Sequence, residues 1–408
     1  MLNFITGGVC AAQGFRAGGI HVGVKTHAAW KKDVALIVSD EDCACAAVYT
    51  KNAVKAAHIH VDKRHLADGK ARAAVINSGN ANACAPMGEE NAERVCAAAG
   101  KALGCRPEDV VVAATGVIGQ TLNVAVIEQG MPELCAAAAH TAAGSDAAAH
   151  AIMTTDTVKK ELAVETVIGG KTVRMGGIAK GSGMIHPNMG TMLCFLTTDC
   201  AISSEMIKSA LLETVQVSFN RISVDGDTST NDTCCVLANG LAGNPVITEK
   251  GPDYDAFVEA LRALCVELAK KMASDGEGAT HLITCTVTGA GSEQSAETVA
   301  KSVIGSALTK AAIFGADANW GRVLCAMGYS KAPFRPEHVD VTFQSQAGSV
   351  PVCRQGDGLP FDEDAAKRIL SEKEVVILVD LHEGDEAAEC WGCDLTYDYV
   401  KINGDYRT

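Results

Sequence analysis

The segment KGSGMIHPNMGTMLCFLTTD, residues 180–199, decides the fold because its character changes halfway along. The first half contains glycines and a proline, which favour a tight turn. The second half, TMLCFLTTD, is an apolar run typical of a buried strand. Thr191 stands at the boundary, directly after Gly190. We therefore predict a loop that leads into a buried strand with a threonine at its first position.

A cut between Gly190 and Thr191 would give Thr191 a free α-amine beside its own hydroxyl. A threonine hydroxyl is a weak nucleophile and needs an adjacent base. An α-amine titrates at about 7.7–8.0, so roughly a tenth of it is neutral at pH 7, whereas a lysine at about 10.4 is almost wholly charged. This pair of groups is the working unit of an N-terminal-nucleophile enzyme, and in the middle of a chain it would require self-cleavage. From the spacing alone, however, the favoured interpretation is a threonine that merely begins a strand, because Gly-Thr pairs are common there.

Composition excludes several classes of protein. The chain has 408 residues, enough for two or three domains' worth of core, and 48% of them are hydrophobic but only 4% aromatic. The formal net charge of −14 argues against nucleic acid or an anionic membrane as the main partner. The sequence shows neither a signal-peptide pattern nor an apolar run long enough for a transmembrane helix, so we expect neither.

Seventeen cysteines are present, and most stand in apolar runs. This placement predicts small buried thiols in a reducing cytoplasm. Cys390 and Cys393 form the single CxxC, without a second pair or neighbouring histidines. We therefore expect no metal or redox site there.

The order of the segments predicts a mixed α/β (α+β) fold in two packed parts, with strands and helices alternating. Residues 34–40 and 43–50 are interpreted as an early hairpin. Gly169-Gly170 predicts a second hairpin between two strands. A helix is expected over about 204–217, and another over about 122–142 with an interruption at Gly130-Met131-Pro132.

Thr115 and Gly116 follow the strand VVVAA at 110–114. A strand that ends at a glycine turn presents backbone N–H groups and a hydroxyl, which can bind the oxyanion of a tetrahedral intermediate. The alternative is an ordinary strand-to-helix turn with a capping threonine.

Lys180 and Glu277 are the charged candidates. A lysine beside a nucleophile can pair with a substrate carboxylate or lower the pKa of a neighbouring amine. Glu277 lies between two glycines, which leaves its carboxylate open to a ligand amine. A solvated lysine and a plain turn glutamate are the alternatives.

The polar loop SVDGDTSTNDT, residues 223–233, superficially resembles a calcium loop. Counted from Asp225, the sixth position is Thr230 rather than glycine and the twelfth is Val236 rather than glutamate, so an EF-hand is not expected. Such a density of Asp, Thr, Ser and Asn favours a loop whose side chains bind its own backbone.

Taken together, these segments resemble the ornithine acetyltransferase family, also called glutamate N-acetyltransferase, of arginine biosynthesis. Any one motif alone would be weak, but the set in this order is highly specific and spans nearly the whole chain. The matching segments are NSGNANA at 77–83, ATGVIG at 114–119, MTTDT at 153–157, GGIAKGSGMIHPNMGTML at 176–193, SVDGDTSTNDT at 223–233, DGEGAT at 275–280, GADANWGR at 315–322 and INGDYRT at 402–408.

The resemblance implies the family's self-cleaving αβ architecture of the N-terminal-nucleophile type. The cut would fall between Gly190 and Thr191 and give an α chain, 1–190, with the oxyanion-hole strand and the substrate loop, and a β chain, 191–408, that begins at the nucleophile. Two such pairs would form an α2β2 assembly. The family often has alanine before the nucleophile, so the glycine here implies slower processing.

The resemblance also assigns roles to residues. Thr191 would be the nucleophile, and Thr115 and Gly116 would form the oxyanion hole. The substrate-contacting positions of the family correspond to Thr154, Lys180, Thr191, Glu277, Asn403 and Thr408.

The implied reaction moves the acetyl group of N-acetylornithine to glutamate through an acetyl-threonine intermediate. It needs no metal or organic cofactor and would take place in the cytoplasm. The sequence leaves open whether acetyl-CoA is a further acetyl donor. Two alternatives remain: an amidohydrolase or aminopeptidase with the same nucleophile, in which water takes the acyl group, and a non-enzymatic binding protein.

Overall fold

The computed structural model of the chain describes residues 2–26, 30–186 and 192–405. These residues form two compact units, each assembled from segments that are distant in sequence. The first unit contains the described residues of Met1–Gly181, Pro187–Asn220 and Thr228–Leu268, and the second contains Ser182–His186, Arg221–Asp227 and the described residues of Ala269–Thr408. Each unit combines a sheet with helices, so the predicted mixed α/β fold is confirmed.

The strands are numbered in chain order. They are β1 Asn3–Ile5, β2 Phe15–Ile20, β3 Val34–Tyr49, β4 Lys70–Asn80, β5 Val110–Val117, β6 Lys160–Ile168, β7 Lys171–Lys180, β8 Leu193–Thr198, β9 Ile222–Ser223, β10 Thr233–Ala238, β11 Leu282–Ala290, β12 Asp340–Ser345, β13 Gly348–Arg354, β14 Asp357–Gly358, β15 Glu374–Asp380 and β16 Glu386–Cys393.

The helices follow the same rule. They are α1 Ala57–His65, α2 Gly88–Leu103, α3 Val124–Ala137, α4 Ala142–Ile152, α5 Ser204–Gln216, α6 Pro252–Ser274, α7 Glu293–Gly305, α8 Ala307–Phe314, α9 Trp320–Gly328, α10 Glu363–Leu370 and α11 Tyr397–Asp405.

The sheet of the first unit has the strand order β1-β6-β7-β8-β10-β3-β4-β5, and β2 also pairs with β3. Side chains of a strand alternate between the two faces, so one sheet can bury two layers. In β3, Ala35 and Ile37 join a core that includes α4, whereas Val34, Leu36 and Val38 join a core that includes α2 and α3. Helices on both sides thus cover this sheet.

The expected hairpin over 34–40 and 43–50 is wrong, because both segments belong to the single strand β3. The acidic residues Asp40, Glu41 and Asp42, where the two segments meet, are exposed. They lie in an irregular stretch, where the four residues between Val38 and Cys43 oppose the single residue of β4 between Ala73 and Ala71. A bulge therefore absorbs the residues that were interpreted as a turn.

The other local predictions of the first unit have mixed outcomes. Gly169 and Gly170 join β6 and β7 in a hairpin with φ values of 54° and 74°, as predicted. The helix at 204–217 is confirmed as α5. The expected interruption near Pro132 is wrong, because α3 continues through Pro132 and buries Met131 and Leu134.

The strands β7, β8 and β10 position the region of interest. β8 pairs antiparallel with β7 and parallel with β10. β7 precedes residues 190 and 191 in the chain, and β8 follows them. A backbone ladder therefore connects the two sides of the predicted cut within the first unit.

The second unit has its own sheet, in the order β14-β13-β12-β15-β11-β16-β9. Alternate residues of β11, namely Ile283, Cys285 and Val287, are buried in a core with Val299 and Val303 of α7. This sheet does not share strands with that of the first unit.

The described residues also bear on membrane spans, disulfides and metal sites. Within them, none of the helices has the length and apolar character needed to cross a membrane. All seventeen cysteines are free thiols, and most are buried, including Cys390 and Cys393. Among these same residues, no cluster of three or more His, Cys, Asp or Glu side chains is arranged to hold a metal ion.

Candidate active site

The end of β5 carries the first two predicted site residues, Thr115 and Gly116. β5 runs parallel to β4, and Gly116 pairs with Gly79 near the point where both strands end. Gly116 has a φ of 128° and Gly79 a φ of 108°, a region of backbone conformation that favours glycine. A Cβ atom on Gly116 would lie 2.4 Å from the carbonyl carbon of Gly79. Two glycines thus allow the NSGNANA and ATGVIG motifs to meet backbone to backbone.

Lys180 is the last residue of β7, and its side chain reaches Thr115. Its Nζ donates a hydrogen bond to Thr115 Oγ1 at 3.4 Å, and both residues are buried. Through its backbone, Lys180 pairs with Leu193, the first residue of β8. Leu193 comes two positions after Thr191 in the sequence. The structure therefore brings together Lys180, Thr115 and the strand that follows the predicted nucleophile.

A buried carboxylate, Asp156, binds the backbone at Thr154 and at Gly181, the residue after Lys180. Its Oδ1 accepts hydrogen bonds from Lys160 Nζ at 2.5 Å and from the Gly181 N–H at 2.9 Å. Its Oδ2 accepts from the Thr154 N–H at 3.1 Å. A single side chain thus fixes Thr154, a predicted substrate contact, and the residue next to Lys180.

Asp156 is ionised despite its burial. The side chains of Asp156 and Lys160 have no exposed surface. Burial raises the pKa of a carboxyl group, but the charges of Lys160 and Lys180 outweigh burial and lower the pKa of Asp156 to about 2. The carboxylate therefore stays negative at neutral pH and keeps its N–H donors.

Asn231, in the polar loop 223–233, fastens the backbone that leads to Thr115. Its Nδ2 donates to the carbonyl oxygens of Ala81, at 2.6 Å, and Ala114, at 2.7 Å. Since Ala81 belongs to the NSGNANA motif and Ala114 precedes Thr115, one amide group ties the two motifs together. This bond adds to the glycine contact between the same strands.

The neighbouring Asp232 is also fully buried, but its environment differs from that of Asp156. Burial raises the pKa of Asp232 well above its ordinary value, although the hydroxyls of Ser229 and Thr50 and the charge of Lys180 oppose this. The pKa values of the two buried carboxyl groups near Lys180 therefore shift in opposite directions, that of Asp156 downwards and that of Asp232 upwards.

In the second unit, Glu277 and Asn403 form a direct pair. Asn403 Nδ2 donates to Glu277 Oε2 at 2.7 Å, and Glu277 is buried. The Glu277 N–H donates to the Ser182 carbonyl at 2.9 Å. A Cβ atom on Gly183 would lie 2.4 Å from the carboxyl carbon of Glu277. The glycine turn expected before residue 190 therefore passes directly against the Glu277 carboxylate.

Asp225 connects the same turn to α11, the helix that carries Asn403. Its carboxylate accepts from the N–H groups of Met184, at 2.5 Å, and Ile185, at 2.9 Å. It also accepts from the Tyr399 hydroxyl at 3.4 Å, and Tyr399 precedes Asn403 by one helical turn. Burial raises the pKa of Asp225. Within the loop, the Asp227 N–H donates to Asp225 Oδ1 and the Asn231 N–H donates to Ser229 Oγ, both at 3.2 Å, so the prediction that its side chains bind its own backbone is confirmed.

Three predicted site residues lie outside the described residues: Gly190, Thr191 and Thr408. The cleavage site, the nucleophile and one substrate contact therefore stay predictions. The described residues on either side of Gly190 and Thr191 are His186 and Met192. The Met192 carbonyl accepts from the Thr233 N–H at 2.9 Å, which joins this position to β10.

Sequence reasoning missed the buried charges that surround Lys180. Asp156 and Lys160 stand in or beside the MTTDT motif, four residues apart, but nothing in that spacing reveals that both side chains are fully buried. For Asp232 the sequence predicted only membership of the polar loop 223–233. Lys25, whose pKa is lowered by burial to about 8 under the opposing influence of Asp33, was missed completely.

A hydroxyl beside a glycine strand end and a buried lysine are elements that acyl-transfer enzymes use. The comparisons with known proteins agree with this class. The ArgJ family model matches residues 16–408. The arginine biosynthesis bifunctional protein ArgJ of Symbiobacterium thermophilum is 52% identical over 408 residues, which cover 100% of both chains. The chain therefore belongs to the ArgJ family, and the resemblance predicted from the motifs is confirmed.

Two solved structures are also similar. The arginine biosynthesis bifunctional protein ArgJ of Bacillus halodurans is 47% identical with a TM-score of 0.49, and the match covers 52% of this chain and 97% of that chain. The ornithine acetyltransferase of Mycobacterium tuberculosis, solved in complex with ornithine, is 36% identical with a TM-score of 0.43, and the match covers 46% of this chain and 100% of that chain.

Proposed function

We propose that this protein is an acetyltransferase of arginine biosynthesis that moves the acetyl group of N-acetylornithine to glutamate. Membership of the ArgJ family supports the reaction. The observation that carries the proposal in the structure is the contact between Lys180 Nζ and Thr115 Oγ1, beside the strand that follows residue 191. A cation and an oxyanion-hole candidate that are in contact with each other support the proposed roles of Lys180 and Thr115.

The first step that we propose is self-cleavage. Thr191 Oγ attacks the Gly190 carbonyl, and the acyl group moves from nitrogen to oxygen to form an ester. Water hydrolyses the ester and leaves an α chain, 1–190, and a β chain, 191–408. The antiparallel ladder between β7 and β8 supports association of the two chains after the cut.

The second step is acetyl transfer. The new α-amine of Thr191 takes the proton of its hydroxyl through one bound water, and Oγ attacks the acetyl carbonyl. The Gly116 N–H and the Thr115 hydroxyl stabilise the oxyanion. Ornithine departs with its amine restored, and the amine of glutamate then attacks the acetyl-threonine ester.

Substrate contacts complete the proposal. Both amino acids carry an α-carboxylate, which suits the ammonium of Lys180. The cation of ornithine suits Glu277, and the hydrogen bond between Glu277 and Asn403 supports a joint role for these two residues. The Asp156 carboxylate accepts hydrogen bonds from the N–H groups of Thr154 and of Gly181, the residue after Lys180, so it holds Thr154 close to Lys180 in space. Thr408 is assigned by the resemblance alone.

Trapping the acyl-enzyme tests this proposal. Incubation with N-acetylornithine without glutamate should release one ornithine per site and leave one acetyl group on the peptide that begins at Thr191. Added glutamate should discharge it as N-acetylglutamate. Steady acetate release without glutamate would instead support the amidohydrolase alternative, and the absence of an acetylated peptide would contradict the proposal.

Lys180→Ala provides a test of the substrate contact. We expect a rise in KM for both amino-acid substrates, on the order of 10–100-fold, because a charged hydrogen bond to the α-carboxylate is lost. Steady-state kinetics with each substrate measure it, with the exposed Lys171→Ala as the control. Unchanged KM and kcat in Lys180→Ala would remove Lys180 from the site.

The assembly and the location of the protein are proposed on the resemblance. We propose an α2β2 assembly in the cytoplasm, and a metal-free reaction. Light scattering coupled to gel filtration tests the assembly, which should have the mass of two precursors. Acetyl-CoA as a further donor is tested by N-acetylglutamate formation from acetyl-CoA and glutamate alone.

A further inference from the structure

A cavity of about 490 Å³ in the first unit is lined by residues from two segments, one around Lys25 and Lys32 and the other around 150–157. Thr154, a predicted substrate contact, and Asp156 both line it. Three lysines of the first segment, Lys25, Lys31 and Lys32, are among its lining residues. The cavity therefore adjoins residues of the proposed site but has a basic wall of its own.

Lys25 is the central cation of this wall. Its Nζ donates to the carbonyl oxygens of Lys32, at 2.7 Å, and Met153, at 2.8 Å. An ammonium group has three donors, so these two contacts fix its position and, among the described residues, leave one N–H for a ligand. Because both partners are backbone carbonyls, the geometry does not depend on neighbouring side chains.

The stem of Lys25 connects the cavity to the oxyanion-hole strands. A Cβ atom on Gly79 would lie 2.8 Å from Lys25 Cγ. Gly79 is the residue that pairs with Gly116. Lys25 therefore packs directly against the strand end at which the acetyl carbonyl is proposed to react.

The charge around Lys25 selects the type of ligand. Lys25 interacts electrostatically with Lys31 and Lys180, which repel it, and with Asp33 and Asp156, which attract it. Asp156 is already paired with Lys160, and Asp33 accepts backbone N–H groups, including that of Lys25 at 3.0 Å. An additional anion would therefore be favourable here, whereas an additional cation would not.

We propose that this cavity is the subsite for the side-chain carboxylate of the acidic acyl acceptor, with Lys25 as its charged contact. The inference rests on the proposed function, in which Lys180 takes the α-carboxylate. Glutamate carries a second carboxylate, whereas ornithine carries an ammonium group in the equivalent part of the molecule. Lys25 would thus make the acceptor step selective for a dicarboxylate without taking part in the donor step.

The test compares glutamate with glutamine, which has almost the same shape but lacks the second charge. Acetyl-enzyme prepared from N-acetylornithine is mixed with either acceptor, and kcat/KM is measured for both. Loss of a charged hydrogen bond is worth about 10- to 100-fold. We expect Lys25→Met to lower kcat/KM for glutamate by this factor, to leave glutamine unchanged, and to leave ornithine release unchanged.

Two further variants complete the design. Lys25→Arg keeps the charge and should keep most of the preference for glutamate. Lys171→Met, an exposed lysine at the start of β7, should behave as wild type. Calorimetric binding of glutamate and glutamine to wild type and Lys25→Met provides a readout that does not depend on turnover or processing.

The outcomes separate the subsite from the proposed function. Equal loss with both acceptors, or a full glutamate preference in Lys25→Met, would overturn the subsite while leaving acetyl transfer intact. A wild-type enzyme that forms no acetyl-enzyme would overturn the proposed function, and in that case the calorimetric preference for glutamate over glutamine decides whether the cavity is an anion site.

Discussion

Asp156 and Asp232 are two fully buried aspartates of the same unit, and their pKa values shift in opposite directions. Asp156 contacts the ammonium of Lys160, and its pKa is lowered to about 2. Asp232 is surrounded by hydroxyls, and burial raises its pKa well above the ordinary value. Burial has the same sign in both places, so the difference arises from the neighbouring cations.

The comparison explains the charge that a substrate would meet. The cations around Lys25 and Asp156 are Lys25, Lys31, Lys160 and Lys180, and the carboxylates that oppose them are Asp33 and Asp156. Because burial raises the pKa of Asp232, this third carboxyl group opposes the lysines less than an ordinary aspartate would. An excess of positive charge suits substrates that carry carboxylates, which is what the proposed reaction requires.

The largest expected effect comes from Asp156→Asn. This change leaves the Lys160 ammonium buried without its ion pair, and the loss of one partner of a buried pair costs about 3–5 kcal/mol. Urea unfolding measures it. Because the folded pKa of Asp156 is lowered, its stabilisation is present above about pH 4 and is lost as the pH falls towards 2, so the deficit of the variant should shrink in acid.

Two controls accompany this measurement. Asp156→Asn combined with Lys160→Met removes both charges and should recover much of the lost stability. Asp146→Asn breaks an exposed ion pair with Lys159 and should change the free energy of unfolding by less than about 1 kcal/mol. If Asp156→Asn were no worse than Asp146→Asn, the proposed contrast between the two buried aspartates would be wrong.

Asp232→Asn should have a smaller effect of the opposite sign. A carboxyl group with a raised folded pKa keeps its proton while the unfolded chain releases it, so stability falls as the pH rises above about 4. Asparagine does not titrate and keeps an acceptor oxygen for the hydroxyls of Ser229 and Thr50. We expect the variant to be about 1 kcal/mol more stable at pH 7, with a gain over wild type that grows between pH 4 and 7. A destabilised variant with no such slope would show that Asp232 is ionised.

The smallest expected effect concerns pH and the acceptor. Lys25 is charged below its pKa of about 8 and neutral above it, within the field of Asp33, Lys31, Lys180 and Asp156. Since kcat/KM reports the free enzyme, its value for glutamate should fall as the pH rises through about 8, relative to its value for glutamine. Parallel profiles for the two acceptors would contradict a role for the Lys25 charge.

The sequence predicted those features of the fold that depend on local chemistry. Two adjacent glycines were sufficient to predict the β6–β7 hairpin, because they supply the positive φ values of its turn. The continuity of β3 was missed because it depends on pairing with β2, β4 and β10, which are distant in sequence. Pro132 was taken as a breaker, but the burial of Met131 and Leu134 keeps α3 intact.

The candidate site shows the same division between features that local sequence predicts and features that depend on distant segments. Motifs in family order identified Thr115, Lys180, Glu277 and Asn403, and the structure brings Thr115 to Lys180 and Glu277 to Asn403. The opposite pKa shifts of Asp156 and Asp232 could not be predicted, because they depend on which cations approach each buried carboxyl group. That information exists only in the folded chain.

Cleavage before Thr191 is the step on which the proposed mechanism depends most directly. Intact-mass spectrometry of purified wild type and Thr191→Ala tests this cleavage. We predict that wild type consists of two chains, residues 1–190 and 191–408, with threonine at the N-terminus of the second, and that Thr191→Ala is one uncut, inactive chain. An active wild-type protein that is continuous from residue 1 to residue 408 would contradict the account.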